Sequence, residues 1–317
     1  MTAPGKLDVH AHYLPEPYRQ ALERAGHSQP DGMPEIPTWS AEEHVALMDR
    51  IGIATALLSV STPGVHLAGG PSPADLAREV NEAGRRAVVD HPDRFGLLGS
   101  LPISDVDATI AEIAHCTDAL AVDGFVLLTN VDGTYLGDPA WEPVFDELDR
   151  RGARVLVHPT SPVCWEHTSF GRPRPMLEFL FDTTRAVVNL VLNGTVARHP
   201  DLRLIIPHVG ATLPVIADRV AGFALMLGVD PSVDVIRDLG GLHYDLSGTP
   251  IPRQLNALLA LTTIEHLHYG SDVPFTPEFV AAIAREQLES AGDPPGSLTE
   301  TLRLNTERLF PRLAASH

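Results

Sequence analysis

The sequence predicts a single (β/α)8 barrel of the TIM type, on three observations. Short aliphatic runs recur eight times over 317 residues, segments of helical character separate them, and metal-ligand residue types close several of the runs. A chain of this length suits one barrel with loop insertions, so one domain is expected over residues 1–317.

The elements follow in order. Leu7–His12 (LDVHAH) ends on two histidines. Ser40–Ile51 is helical and opens with Ser40 and Glu43 at capping-box spacing. Ile53–Val60 is the second strand, and Pro73–Asp90 starts with the residue preferred at the first helical position. Phe95–Leu101 pairs with helix Asp105–Leu120, and Gly124–Leu128 with Pro139–Arg151. Arg154–His158 (RVLVH) ends on a histidine and leads to Met176–Arg198. Arg203–His208 does the same and leads to Leu213–Leu227. Leu242–Ser247 precedes Pro252–Leu261, and His266–Ser271 runs into Asp272 and helix Pro277–Ser290. The loops Gly26–Pro37 and Thr62–Pro73, rich in Gly, Pro, Ser and His, suit the face that carries an active site. Gly292–Ser297 reads as a surface turn before a last helix.

Other α/β classes lack their signatures. No G-x-G-x-x-G follows the first strand, and there is neither a P-loop nor a G-x-S-x-G elbow. The net charge of −18 argues against a nucleic-acid or acidic-membrane partner, which would require a basic face. An anionic small molecule stays open, because a metal and one arginine can reverse the field locally. Two cysteines, Cys116 and Cys164, make no disulfide framework, and neither a signal-peptide run nor a membrane-length run is present. A cytoplasmic protein is expected.

In a barrel these strand ends converge on one mouth. Residues i and i+2 of a strand share a face about 7 Å apart, so His10 and His12 can reach one ion. His158, His208 and Asp272 come to the same mouth from other strands. A nitrogen- and oxygen-rich set of this kind suits zinc or a neighbouring divalent ion. Lys6 is the only lysine and precedes the first strand, which argues against a Schiff base and against a carbamylated lysine bridging two metals. One ion per chain is expected.

The segments VHAHYLPEPY, TWSAEEHVALMDRIGI, HPDRFGLLGSLP, YLGDPAWEPVFDELDRRGARVLVHPT, PHVGATLPVIADR, HYDLSGTPIPRQLNALL, YGSDVPFTP and NTERLF run nearly end to end. In this order they resemble the amidohydrolase superfamily, and within it the branch of aminocarboxymuconate semialdehyde, γ-resorcylate and 6-methylsalicylate decarboxylases. The likeness implies that His10, His12, His158 and Asp272 are metal ligands, with zinc the first expectation and manganese the alternative. It places His208 beside the substrate or an attacking water, and makes Arg219 a carboxylate-binding arginine that reaches across a homodimer interface. Ala211 stands where γ-resorcylate enzymes carry a glutamate, and His44 is the basic residue at the place where aminocarboxymuconate enzymes carry a substrate arginine. Both departures favour the 6-methylsalicylate type.

The implied reaction is loss of CO2 from a hydroxylated aromatic acid after ring protonation, with Asp272 as proton donor and His208 orienting the phenolate or relaying protons. A mononuclear hydrolase of an ester, lactone or amide would use the same parts. Trp165 and Phe170, in the loop after His158, are expected to wall the substrate pocket. Asp245 and Ser247 share a strand face and are candidates for groups behind the ligands or in the pocket. Tyr13 is a candidate for substrate contact or for packing beneath the loop. His268, about 13 Å deeper than Asp272, is expected to be structural, and Asn305 to make a cap or tertiary hydrogen bond.

Overall fold

The computed structural model describes residues 5–292, 294 and 296–314. Eight strands form one parallel sheet in chain order: β1 (Lys6–His12), β2 (Ile53–Ser59), β3 (Phe95–Ser100), β4 (Gly124–Leu128), β5 (Arg154–His158), β6 (Arg203–Ile206), β7 (His243–Asp245) and β8 (Leu267–His268). Single bridges join Asp8 to Tyr269 and Ala11 to Val273, and Asp272 N donates to His10 O at 2.7 Å, so the last strand returns to the first. The barrel class expected from the sequence is the observed fold.

The strands form because alternate residues serve two apolar layers. Leu7, Val9, Leu57, Leu98, Val126, Leu156 and Ile205 fill the interior with Leu309, Phe310 and Leu313, which plug its lower end. Ala56, Leu58, Val155, Val157, Leu204 and Ile206 face the surrounding helices. With a period of two, His158 therefore shares the inward side of Leu156.

β1 needs an irregularity to do the same. Its register against β2 slips between Asp8 and Ala11, where three steps on β1 oppose two on β2. Leu7 and Val9 point inward below the slip, and His10 and His12 point inward above it. This is the re-aiming expected of a β-bulge beside a functional site. The Asp8 carboxylate accepts the His10 N–H at 3.0 Å and the Ser271 N–H at 3.1 Å, holding the bulge against the segment after β8.

Several boundaries differ from expectation for local reasons. β6 stops at Ile206 because Pro207 has no N–H to give, and His208, Val209 and Gly210 then turn through positive φ of 54°, 59° and 75°. The expected helix Met176–Arg198 is divided: Glu178–Leu192 ends before Gly194 (φ 72°), and a short helix Thr195–Arg198 follows. The expected helix Pro252–Leu261 is regular only at Leu255–Leu258. Ser40 caps helix Ala41–Ile51 by accepting from Glu43 N at 3.2 Å, as its spacing implied. Within the expected turn Gly292–Ser297, residues 293 and 295 lie outside the described residues. Among the described residues, no helix is long and apolar enough to cross a membrane.

Candidate metal centre

β1, β5 and the segment after β8 bring His10, His12, His158 and Asp272 together, with one ligand atom from each lying within 4.8 Å of the others. The three imidazoles are buried. Asp272 has φ 59°, an unfavourable value that its N–H bond to His10 O maintains, and one that turns the carboxylate back into the mouth.

Each imidazole is oriented by its outer nitrogen. His10 Nδ1 lies 2.8 Å from Asp245 Oδ2, and His158 Nδ1 lies 2.8 Å from Pro159 O. These partners only accept, so both Nδ1 atoms carry the proton. Ser59 Oγ donates its proton to Ala11 O and therefore accepts from His12 Nδ1 at 3.0 Å. As neutral imidazoles, all three would therefore turn Nε2 lone pairs into the centre. His10 Nε2 and His12 Nε2 stand 3.1 Å apart, and Asp272 Oδ1 is 3.1 Å from the second and 3.5 Å from the first. Three imidazole nitrogens and a carboxylate converging on one point fit a divalent cation, whose charge would displace any proton between them.

The field of the site points the same way. Burial would lower His10, but Asp245, Asp272 and Asp8 outweigh it and raise its pKa to about 9, so this position favours positive charge. Burial and the neighbouring His10 charge lower His12 although the Asp272 carboxylate lies beside it, and burial holds His158 well below the ordinary imidazole value. Burial would raise Asp272, yet His10, His12 and His208 keep it well below the usual carboxylate range. Asp272 is ionised at rest.

His208 stands beside the quartet, with Nε2 3.6 Å from Asp272 Oδ2 and Nδ1 buried without a hydrogen-bond partner. Its N–H is held at 3.1 Å by Asp245 Oδ1, which also accepts from Ser247 Oγ at 2.6 Å. Asp245 and Ser247 thus sit behind the histidines. A cavity of about 260 Å3 opens on His158, His208 and Asp272, and its apolar wall includes Met33, Phe179 and Phe275.

The structure does not bring every expected residue here. Trp165 and Phe170 do not line this cavity: Trp165 stacks on the Arg174 guanidinium at 4.0 Å, and Phe170 is 79% exposed. The aromatic residues of this wall are instead Phe179 and Phe275, which corrects the expected role of Trp165 and Phe170 there. Phe179 was concealed in the helical run after the loop, and Phe275 lies just beyond Asp272. Arg219 is exposed on helix Leu213–Leu227, 5.0 Å from the Phe223 ring, and does not reach this chain's own cavity. Tyr13 is buried and donates to Val80 O at 2.8 Å, away from the cavity. His268 bonds to His243 and Thr306, and Asn305 donates to Ile264 O and Leu267 O, the structural roles expected of them.

Two acids escaped the sequence reading. Asp182, buried in helix Glu178–Leu192, accepts from Asn130, Thr129 and Tyr135 and braces the strand ends around His158. Asp31 lies in the cavity wall. Their only signals were an acid on an apolar helical face and a Pro-Asp-Gly turn. A second cluster, Glu142, Asp146 and His199, lies elsewhere, and Arg198 already holds Glu142 through two nitrogens at 2.6 and 2.9 Å.

Residues 7–312 match the amidohydrolase family, and the chain belongs to it. Within that family it stands with the carboxy-lyases. It is 32% identical to a 6-methylsalicylic acid decarboxylase of Aspergillus aculeatus over 97% of this chain and 96% of that protein. A solved structure described as an amidohydrolase II superposes with a TM-score of 0.90 at 32% identity, covering 96% of this chain and 99% of that one. A dihydroxybenzoic acid decarboxylase from Polaromonas, solved with bound manganese, shares the fold at a TM-score of 0.81 and 20% identity, with 97% of each chain covered.

Proposed function

We propose that the protein is a metal-dependent, non-oxidative decarboxylase of a small hydroxylated aromatic carboxylic acid of the 6-methylsalicylate kind. The observation that carries this reading is the opening of the acceptor quartet into an apolar cavity of about 260 Å3, walled by Phe179 and Phe275. The near full-length likeness to a 6-methylsalicylic acid decarboxylase supports it.

His10, His12, His158 and Asp272 would hold one divalent ion, zinc first and manganese as the alternative. Bound there, the ion would supply positive charge to neutralise and hold the anionic acid. Phe179 and Phe275 position the ring and exclude water. Asp272 divides its work between its oxygens. Oδ1 faces the imidazole nitrogens, whereas Oδ2 lies 3.6 Å from His208 Nε2. Asp272 rests ionised, so to act as donor it must first take up a proton, which His208 would relay from solvent and Asp272 would pass to the ring carbon that bears the carboxylate. A C–H bond forms there, the bond to the carboxylate breaks, and its electron pair restores the aromatic ring as CO2 leaves.

Arg219 acts in trans in this reading, binding the carboxylate of the neighbouring subunit's substrate in a homodimer. The helix that carries it exposes Val215, Leu225, Met226 and Leu227, apolar side chains available for burial against a second copy. The whole chain works as one barrel domain, and the unpaired Cys116 and Cys164 suit the reducing cytoplasm.

The test is product analysis on metal-loaded protein with a panel of salicylates, including 6-methylsalicylate, alongside simple esters, lactones and amides. Release of CO2 from a salicylate is expected. Cleavage of an ester or amide with no CO2 from any salicylate would replace this reading with the hydrolase.

A further inference from the structure

The cavity wall contains one carboxylate besides Asp272, and it is the end of a directed hydrogen-bond chain. Asp31 is 6% exposed and sits in the left-handed backbone region (φ 53°), between Pro30 and Gly32 of the loop over the mouth. Its Oδ2 accepts from Thr62 Oγ at 2.9 Å, and its Oδ1 accepts from the Ser161 hydroxyl. Thr62 has a single hydroxyl proton and gives it to Asp31, so the contact of 2.8 Å between Thr62 and Thr160 has Thr160 as donor. Ser161 likewise gives its proton to Asp31 and accepts from Arg174 Nε at 3.0 Å. Every donor in the chain points toward Asp31, the arrangement that suits an anion.

The loop cannot withdraw this charge easily. A Cβ at Gly32 would lie 2.9 Å from Arg174 Nη1, so the loop backbone packs directly on the arginine that balances Asp31 through Ser161. Apart from His158 and His208 at the metal end, the wall has no basic side chain, and Pro30, Met33, Pro175, Phe179, Phe275 and Val280 are apolar. A ligand filling the cavity with its carboxylate at the quartet therefore meets a second, fixed negative charge along another edge, in a small enclosure where charges are poorly screened.

We infer that Asp31 is a specificity-determining residue that restricts the site to aromatic monocarboxylates and excludes rings carrying a second anionic group. A neutral hydroxyl donor is accepted at that edge, because each Asp31 oxygen keeps lone-pair capacity beyond the bond it makes. The inference rests on the proposed binding of an aromatic acid in this cavity, and deepens that reading.

The test uses ligands that lack the ortho-hydroxyl and do not turn over: benzoate, the three benzenedicarboxylates and their neutral monoamides. Dissociation constants are measured by calorimetry on metal-loaded protein at pH 7.5. Wild type should bind each monoamide at least about tenfold more tightly than the matching dicarboxylate for the isomers that reach Asp31. Asp31→Asn should bring at least one such ratio to within about threefold. Ser161→Ala breaks the same strut but keeps the charge, and should preserve the discrimination. Arg174→Gln removes the balancing cation and should widen the ratio, which gives an independent reading should Asp31→Asn fail to fold. Equal binding of monoamide and dicarboxylate by wild type overturns the inference. So does an unchanged ratio in Asp31→Asn, or in Arg174→Gln where the asparagine variant is unfolded. Failure of every aromatic acid, benzoate included, to bind overturns the aromatic-acid reading as well. Discrimination without turnover of any salicylate would sustain Asp31's role while removing the proposed reaction.

Discussion

His10 Nδ1 lies 2.8 Å from Asp245 Oδ2 with both side chains fully buried, which ties the first strand of the barrel to the seventh. The same carboxylate holds the His208 N–H and the Ser247 hydroxyl, so one acid orients a ligand candidate and the neighbouring histidine together. Burial opposes its ionisation, but His10 and His208 outweigh that and keep Asp245 below the usual carboxylate range.

Asp245→Asn should therefore weaken metal binding without removing a proposed ligand. Losing an acidic partner behind a ligating histidine costs about 10–100-fold in metal affinity. Competition with a chelator measures it, and unchanged affinity would show that Asp245 is dispensable for orienting His10.

Removal of the metal should abolish turnover, and restoring zinc or manganese should recover it. The converging imidazoles of His10, His12 and His158 leave room for one cation, so elemental analysis should find about one divalent ion per chain. Two ions per chain, or full activity after thorough chelation, would contradict this centre.

Asp272→Asn keeps an oxygen donor but cannot carry an acidic proton. Turnover should be lost even where metal content is restored. In heavy water the wild-type product should carry deuterium on the carbon that lost the carboxylate. Substantial activity in the variant would remove Asp272 from the proton path.

Arg219→Ala should lower kcat/KM about ten- to hundredfold, the loss expected for one charge-assisted hydrogen bond of about 1.5–3 kcal/mol. Mixing it with Asp272→Ala tests action in trans. In a mixed dimer, the subunit carrying the Arg219 change keeps its metal site and borrows arginine from its partner, so one of the two sites should regain activity. Mixed dimers no more active than the two parents would overturn action in trans and leave Arg219 a role in its own subunit or only in the fold.

The metal-free protein should lose stability on mild acidification through His44. Burial, with His12 nearby, lowers its pKa to about 4, and Trp39 Nε1 donates to its Nδ1 at 3.0 Å, leaving no place there for a second proton. The folded value lies below the unfolded value of about 6.5, so the unfolded chain binds more protons between them. The contribution is complete above about pH 6.5 and lost as pH falls toward 4, on the order of 3 kcal/mol. Denaturant titrations at pH 7.5 and 4.5 should show a smaller difference for His44→Gln. An equal difference in both proteins would assign the acid sensitivity elsewhere.

The amino-acid order alone determined the eight-strand alternation, because burial with a period of two or about 3.6 is a local property of neighbouring side chains. The same locality made the strand-end positions of His10, His12, His158 and His208 legible. It made Asp245 and Ser247 legible as a pair sharing one strand face. Tertiary structure decided what those residues face. Leu7 and Val9 already claim the inward side of β1, and only the slip against β2, held by Asp8 and Ser271 from opposite ends of the chain, turns His10 and His12 inward as well. It also decided the pocket wall. Trp165 and Phe170 lie close to His158 in sequence, yet Phe179 and Phe275 reach the cavity, the latter because Asp272's positive φ turns its segment back over the mouth. Asp31 was invisible for the same reason. Its partners Thr62 and Ser161 are 31 and 130 residues away, and no local pattern records a carboxylate whose surroundings are assembled by closing the barrel.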